Sequence, residues 1–251
     1  MARITQNIHS IDGLAHPFGI GNVPCVVEEN GPRDLTLIDT CFLAEEPKLE
    51  ARLQDEGYEM KDVKRLILTH THPDHVQAVN QIRKDRGIKV YCHWSEAGYL
   101  GQQPVYHGPP SHEMILSTLQ RLGISMDEVT RKFGSLERPP VAVDETLQDG
   151  DSIGRLKVIH TPGHTPGHIA LYSEEDRTVI GGDFLFNSVL GIDGLYVMRN
   201  FSIDPRVAAV SARRVSKLNF DKLVLGHQRE PLLEGARRAV GLAADAALET
   251  K

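Results

Sequence analysis

Residues 65–75 read RLILTHTHPDH, and the change of character halfway along decides how the rest of the chain is read. RLIL is a short apolar, β-prone run of the sort that is buried on both faces of a parallel sheet. Directly after it come His70, His72, Asp74 and His75. On an extended backbone His70 and His72, two apart, project the same way. Asp74 and His75 stand beyond Pro73, a residue suited to open a helix, and so point to a second position. Chance alone would produce HxHxDH in roughly two chains per thousand of this composition.

The pattern recurs. RLKVIH (155–160) leads to His164, RTVIGG (177–182) to Asp183, KLVLG (222–226) to His227, and LTLI (35–38) to Asp39. Ligand sites in α/β sheets lie beyond the carboxyl ends of strands, so these groups are expected to converge. Seven of them, His70, His72, Asp74, His75, His164, Asp183 and His227, exceed the four positions of one tetrahedral zinc and suit two adjacent metals. Residues 161–168 read TPGHTPGH, which places His164 and His168 four apart. The Pro-Gly pairs argue against a continuous helix, so the two do not share a helix face. His164 is expected to be a ligand. His168, opening the strand HIALYS, is expected to support the ligand loop by hydrogen bonding.

Around these motifs the chain reads as strands first, ITQNIHSI and NVPCVVEEN, then strand alternating with helix. Helices are expected at EEPKLEARLQDEG, DHVQAVNQIRKDRG, DPRVAAVSARRVSKL and PLLEGARRAVGLAADAAL, and strands at KVYCH, PVAVDE and HIALYS. This order predicts one α/β domain, a sandwich with helices outside two sheets. Residues 94–140 break the rhythm with the loop GQQPVYHGPP and two helices, SHEMILSTLQRLG and SMDEVTRKFG; Ser125 and Glu128 form a capping box in the second. This is read as a helical insertion, serving either as a lid or as a contact in a homodimer.

Of 251 residues, 40% are hydrophobic and 25% charged, as in ordinary globular domains. The net charge of -6, without a Lys/Arg block, argues against nucleic acid as a partner. No apolar stretch approaches the roughly 18 residues of a membrane span, and MARITQNIHS lacks the apolar region of a secretory signal. Three scattered cysteines, Cys25, Cys41 and Cys92, suggest buried reduced thiols and a cytoplasmic protein.

With THTHPDH at 69–75, TPGHTPGH at 161–168, GGD at 181–183 and GH at 226–227, nearly the whole chain resembles the metallo-β-lactamase-fold metallohydrolases. The resemblance implies an αββα four-layer sandwich and a dinuclear site. By motif, His70, His72 and His164 correspond to ligands of a first metal, and Asp74, His75 and His227 to ligands of a second, with Asp183 bridging. Asp39 corresponds to a residue that orders the metal loop from behind. The implied function is hydrolysis of an ester, lactone, thioester or β-lactam by a hydroxide held between two divalent ions, zinc first, with iron or manganese as alternatives. Asp74 would orient the nucleophile and shuttle its proton.

The subfamily stays open between glyoxalase II-like and lactonase-like members. The β-lactamases proper usually carry Cys or Ser where Asp183 stands. Glyoxalase II adds a long C-terminal helical domain, and only a short segment follows His227 here. Lactonases place a catalytic tyrosine where this chain has Phe186. Three other readings remain: a mononuclear iron oxidoreductase like the persulfide dioxygenases, a phosphodiesterase, and a non-catalytic metal-binding scaffold. Residues 186–201, FNSVLGIDGLYVMRNF, are apolar for a loop; they suggest a wall for a small-molecule substrate, with Phe186, Tyr196 and Arg199 as its contacts. Tyr99, Tyr106, His107 and His112 in the insertion, and His9, His16, His93 and His160 elsewhere, are read as structural or surface groups.

Overall fold

The computed structural model describes residues 1–101 and 112–250. Tyr106 and His107 lie outside the described residues, as does the side chain of His112. Seven strands form the first sheet in chain order: β1 (Ala2–Arg3), β2 (Ile8–Ser10), β3 (Cys25–Glu28), β4 (Leu35–Ile38), β5 (Val63–Leu68), β6 (Lys89–His93) and β7 (Glu145–Leu147). Pairing is antiparallel from β1 to β4 and parallel from β4 to β7. Parallel neighbours need long crossovers, and these hold helices. Between β4 and β5 lies α1 (Glu46–Asp55), and between β5 and β6 lie α2 (Pro73–Val76) and α3 (Val79–Arg83). Between β6 and β7 lie α4 (Trp94–Leu100), α5 (His112–Arg121) and α6 (Met126–Phe133).

The second sheet is built from β8 (Ser152–Ile153), β9 (Leu156–His160), β10 (Ile169–Ser173) and β11 (Thr178–Ile180). A short hairpin, β12 (Phe186–Asn187) with β13 (Leu195–Tyr196), and helix α7 (Pro205–Val215) follow. Then β14 (Lys222–Val224) adds parallel to β11 at the sheet edge, and α8 (Ala236–Glu249) comes after it.

Side-chain alternation sets the layers. On β5, Leu66 and Leu68 face α1 and α3, packing with Leu49, Leu53, Val79 and Ile82. Ile67 between them faces the other sheet, with Val27, Ile38, Val158, Leu171 and Ile180. The outer face of the second sheet, through Ala170, Val179 and Leu223, packs on Ala208 and Ala212 of α7 and Val240 and Ala244 of α8. Both faces of both sheets are thus covered, which is why the central strands read as uninterrupted apolar runs. The result is the expected order of helix, sheet, sheet, helix. The three cysteines are buried and free, and among the described residues no helix is long and apolar enough to cross a membrane.

Three expectations need correction. DHVQAVNQIRKDRG is not one helix, because its hydrogen bonds are diverted around residue 78. The Asp74 carbonyl accepts from Asn22 Nδ2 at 2.8 Å, the His75 carbonyl accepts from the Thr40 amide at 2.8 Å, and Ala78 N–H donates to Cys41 O at 3.1 Å. Of PVAVDE only the last residue joins the sheet, since the Val141 amide is taken by Leu100 O at the end of α4. The closing helix starts at Ala236, after Leu232 has paired back onto Leu223 and Gly235 has turned the chain at φ +65°.

The insertion helices form where expected, with the capping box closed by Ser125 N–H on Glu128 Oε2 at 2.9 Å and Glu128 N–H on Ser125 Oγ at 3.2 Å. Leu119, Val129 and Phe133 pack on Phe42, with Phe18 and Ile115 against the same cluster. The two helices therefore rest on the loops that border the cluster of histidines.

Leu171 is fully buried between the two sheets. Leu171→Ala is expected to destabilise the metal-free protein by about 2–5 kcal/mol, measured by urea unfolding in the presence of a chelator so that bound metal does not mask the loss.

Candidate metal centre

Where β4 ends, Asp39 takes a left-handed turn at φ +59°, which sends its carboxylate across to the end of β5. There Oδ1 accepts the Thr69 amide at 2.7 Å, and Oδ2 accepts Thr69 Oγ1–H at 2.7 Å and His75 Nδ1–H at 2.9 Å. With Nδ1 engaged, His75 can offer only Nε2 to the interior, and it lies 3.4 Å from Asp74 Oδ2 and 3.5 Å from Asp183 Oδ1. His227, after β14, is fixed the same way. Its Nδ1–H donates to Gly21 O at 2.6 Å, and Nε2 stands 3.0 Å from Asp74 Oδ2 and 3.3 Å from Asp183 Oδ2.

His70 and His72 turn their rings together, centroids 4.6 Å apart. His164 Nε2 lies 2.9 Å from His72 Nδ1 and 3.5 Å from Asp183 Oδ2, with His70 Nε2 3.9 Å from the same oxygen. Two glycines make this convergence geometrically possible. At Gly182, φ is +53° and a Cβ would stand 2.7 Å from Thr69 Oγ1 and 2.8 Å from His168 Nε2. At Gly226 a Cβ would overlap Asp183 Oδ1 and lie 2.7 Å from His75 Cε1.

The ligand-type atoms fall into three groups, each within 4.8 Å: His70, His72, His164 and Asp183; His75, Asp183 and His227; and His16, Asp74 and His227. All seven expected ligands are among them, and Asp183 belongs to the first two groups. His70 Nε2, His75 Nε2 and Asp183 Oδ1 are buried without a hydrogen-bond partner. Orphaned polar atoms in a buried site are costly, and lone pairs aimed at a common point fit divalent cations. Imidazole and carboxylate donors suit zinc, iron, manganese or cobalt.

Charge explains the protonation pattern. Burial opposes a proton on His75, but Asp183, Asp74 and Asp39 outweigh it and hold that imidazole well above its usual range. On His227 burial is likewise outweighed, first by Asp183 and then by Asp74, and the group is pushed up to about 10. Asp74 and Asp183, despite burial, are held well below the ordinary carboxylate range by these imidazoles. Burial, together with neighbouring imidazoles, drives His70 and His164 well down. Without metal, protons on His75 and His227 therefore balance the two carboxylates.

His168 sits outside all three groups. Its Nε2 accepts the Asp183 amide at 2.9 Å and its Nδ1–H donates to Thr161 Oγ1 at 2.8 Å, so its ring ties the loop carrying Asp183 to the loop carrying His164. Burial lowers it to about 3, which keeps Nε2 an acceptor.

Several site neighbours escaped the sequence reading. His16, taken there as structural, lies with Nε2 3.4 Å from Asp74 Oδ2, while its Nδ1 accepts the Phe18 amide at 3.1 Å. Nε2 therefore carries a proton and points it at Asp74. Asn22 Nδ2 donates to Asp74 Oδ2 at 3.2 Å. Both residues come from HPFGIGN, an irregular loop without periodicity, whose one signal is a histidine among apolar residues.

A cleft of about 390 Å³ opens onto the site, walled by Phe18, Phe42, Ile115, Leu136, Met198 and Phe201. Phe186 lines it as expected and stacks on the His227 ring, with centroids 5.3 Å apart and planes 15° from parallel. Tyr196 and Arg199 are corrected: neither is among the lining residues. The Tyr196 hydroxyl donates to Val189 O at 2.9 Å, so the residue backs the wall, and Arg199 donates to Thr250 O at 2.8 Å beyond α8. Tyr99 is exposed on α4. The polar wall residues are instead Glu137 and Arg138 of the insertion.

A family model described as the metallo-beta-lactamase superfamily matches residues 19–227. The probable metallo-hydrolase YflN of Bacillus subtilis (strain 168) is 27% identical over 187 residues, 68% of this chain and 66% of that protein. Hydroxyacylglutathione hydrolase GloC of Haemophilus influenzae is 26% identical over 135 residues, 52% of this chain and 53% of that protein. The chain thus spans between about half and two thirds of the length of these curated relatives. The crystal structure of TTHA1623 in a di-iron-bound form superposes with a TM-score of 0.60 at 25% identity, covering 89% of this chain and 94% of that one.

Because the surrounding carboxylates favour protons on His75 and His227 in the metal-free site, zinc must displace them. Filling the site at pH 7 is expected to release protons, from these imidazoles and from water ionised by the metals, and apparent affinity should rise with pH. Calorimetric titration in two buffers of different ionisation enthalpy checks both; zinc uptake without proton release would contradict this charge assignment.

Proposed function

This chain belongs to the metallo-beta-lactamase superfamily, and we propose on that premise that it is a dinuclear metal-dependent hydrolase acting at the carbonyl of an ester, thioester or lactone. The observation that carries the reading is the sharing of Asp183 between two complete ligand groups. One iron held by two histidines and one aspartate would leave four of the seven without a metal: His75, Asp74, His227 and one histidine of the first group. The di-iron form of TTHA1623 favours two metals in this fold, and a relative named as a hydroxyacylglutathione hydrolase favours acyl transfer to water over phosphodiester cleavage.

When bound, two divalent cations supply hydroxide at neutral pH by lowering the pKa of water, and a Lewis acid for the carbonyl oxygen. Zinc is our first choice of metal, with iron or manganese decided by availability. The chain's own residues do the rest. Asp183 and Asp74 offset part of the cationic charge and leave a residue of it to favour an anionic transition state. Asp74 Oδ2 is fixed by Asn22 Nδ2 and faced by His16 Nε2–H, which keeps the carboxylate ionised, oriented and able to receive a proton from the attacking water. Phe186 and the aromatic wall keep bulk water from the reacting centre.

The test is a panel of aryl ester, thioester, lactone, β-lactam and phosphodiester substrates with metal analysis of the same preparation. Carbonyl substrates should turn over with two metals per chain. Asp74→Ala should lower kcat by about 10²–10⁴ with circular dichroism unchanged. Turnover of the phosphodiester alone, or one iron per chain with oxygen consumption, would overturn the assignment.

A further inference from the structure

Arg138 is the only lysine or arginine among the described residues that line the cleft, and it is 9% exposed. No described residue accepts a hydrogen bond from its guanidinium, and Nη1 is buried without a partner. With the described residues it forms no ion pair within 4.0 Å, although Glu137 beside it lines the same cleft. Glu96 is close enough for its field to be felt; its Oε1 accepts the Gly167 amide at 2.7 Å, and its Oε2, like Arg138 Nη1, is buried without a hydrogen-bond partner.

A guanidinium withdrawn from water normally has its forked donors matched by a carboxylate or phosphate. Arg138 lines the cleft with no such partner among the described residues. Apart from Thr71 and Glu137, the rest of the wall, from Phe18 and Phe42 to Met198 and Phe201, is apolar. The cavity therefore offers a mainly apolar chamber, one arginine and the histidine cluster.

We propose that Arg138 is the recognition group for a substrate carboxylate, and that the substrate is an apolar acyl compound bearing one such group apart from the bond that is cut. This deepens the hydrolase reading and rests on it for the word substrate. A single cation matches a monoanion; a phosphate dianion would call for a second, and the described wall has none. Arg138 lies between α6 and β7, in the inserted helical segment, so this segment both covers the cleft and selects what enters it.

The experiment uses zinc-loaded protein and ω-mercapto acids of three to eight carbons, each paired with the mercapto alcohol of equal length. The thiol anchors at the metal and the far end reports on Arg138. Calorimetry should show the acid favoured over the alcohol by about tenfold or more at one chain length, the scale of one charge-assisted pair. In Arg138→Met and in Arg138→Gln the preference should fall to within about twofold, with alcohol binding and zinc content unchanged; two variants are used so that misfolding of one leaves the other to decide. Equal binding of acid and alcohol in the unaltered protein, a preference that survives both substitutions, or no binding by any probe would each overturn the proposal. Turnover of p-nitrophenyl hexanoate against mono-p-nitrophenyl adipate separates the two readings. An Arg138-dependent binding preference with neither ester cleaved retains the subsite and rejects the hydrolase. Cleavage of both esters at rates indifferent to Arg138 retains the hydrolase and rejects the subsite.

Discussion

Two carboxylates, Asp74 and Asp183, are buried side by side among imidazoles, and most of the site follows from keeping them ionised there. A buried carboxylate without compensation would take up a proton instead. This protein sets His75 and His227 between the two, with Asp183 within reach of His70 and His164 as well. The same concentration of lone pairs that requires protons in the metal-free state is what makes the site a receptor for divalent cations.

Such a cluster has to be assembled from segments far apart in sequence, and the sandwich does this at one edge. The parallel pairs β4–β5 and β11–β14 deliver the loops that begin at Asp39, His70, Asp183 and His227 side by side. Asp39 then locks the first loop by accepting three hydrogen bonds, and His168 ties the two loops of the second sheet to each other. Asp39 at His75 and the Gly21 carbonyl at His227 also set tautomers, because engaging one ring nitrogen decides which nitrogen is left for metal. The break between α2 and α3 belongs to the same design constraint: helical hydrogen bonds are given up so that Asn22 and Thr40 can hold the backbone carbonyls of Asp74 and His75.

The ligand motifs were legible because each is local. A strand ending in a histidine or aspartate is visible in a dozen letters, and the convergence of several such ends follows from general rules of α/β sheets. His168 was separable from His164 because the Pro-Gly pairs exclude a shared helix face, His164 follows the strand RLKVIH, and His168 opens the strand HIALYS. His16, Asn22 and Arg138 were not legible, since each lies in an irregular segment and acquires its role only from what it meets across the fold. Arg199 shows the reverse error. It follows an apolar stretch leading away from Asp183 and was expected in the cleft, but its guanidinium is taken up by the Thr250 carbonyl after α8.

By itself the sequence determined the layers and the donor chemistry of the centre: runs buried on both faces require sheets covered by helices, and seven imidazoles and carboxylates set beyond strand ends are donors suited to metal. Only the tertiary structure decided which nitrogen of each histidine faces inward, which residues hold Asp74, and which cation among the described residues lines the cleft. Strand periodicity and ligand type are properties of a short stretch, whereas tautomer, charge balance and cavity lining depend on groups brought together from distant segments.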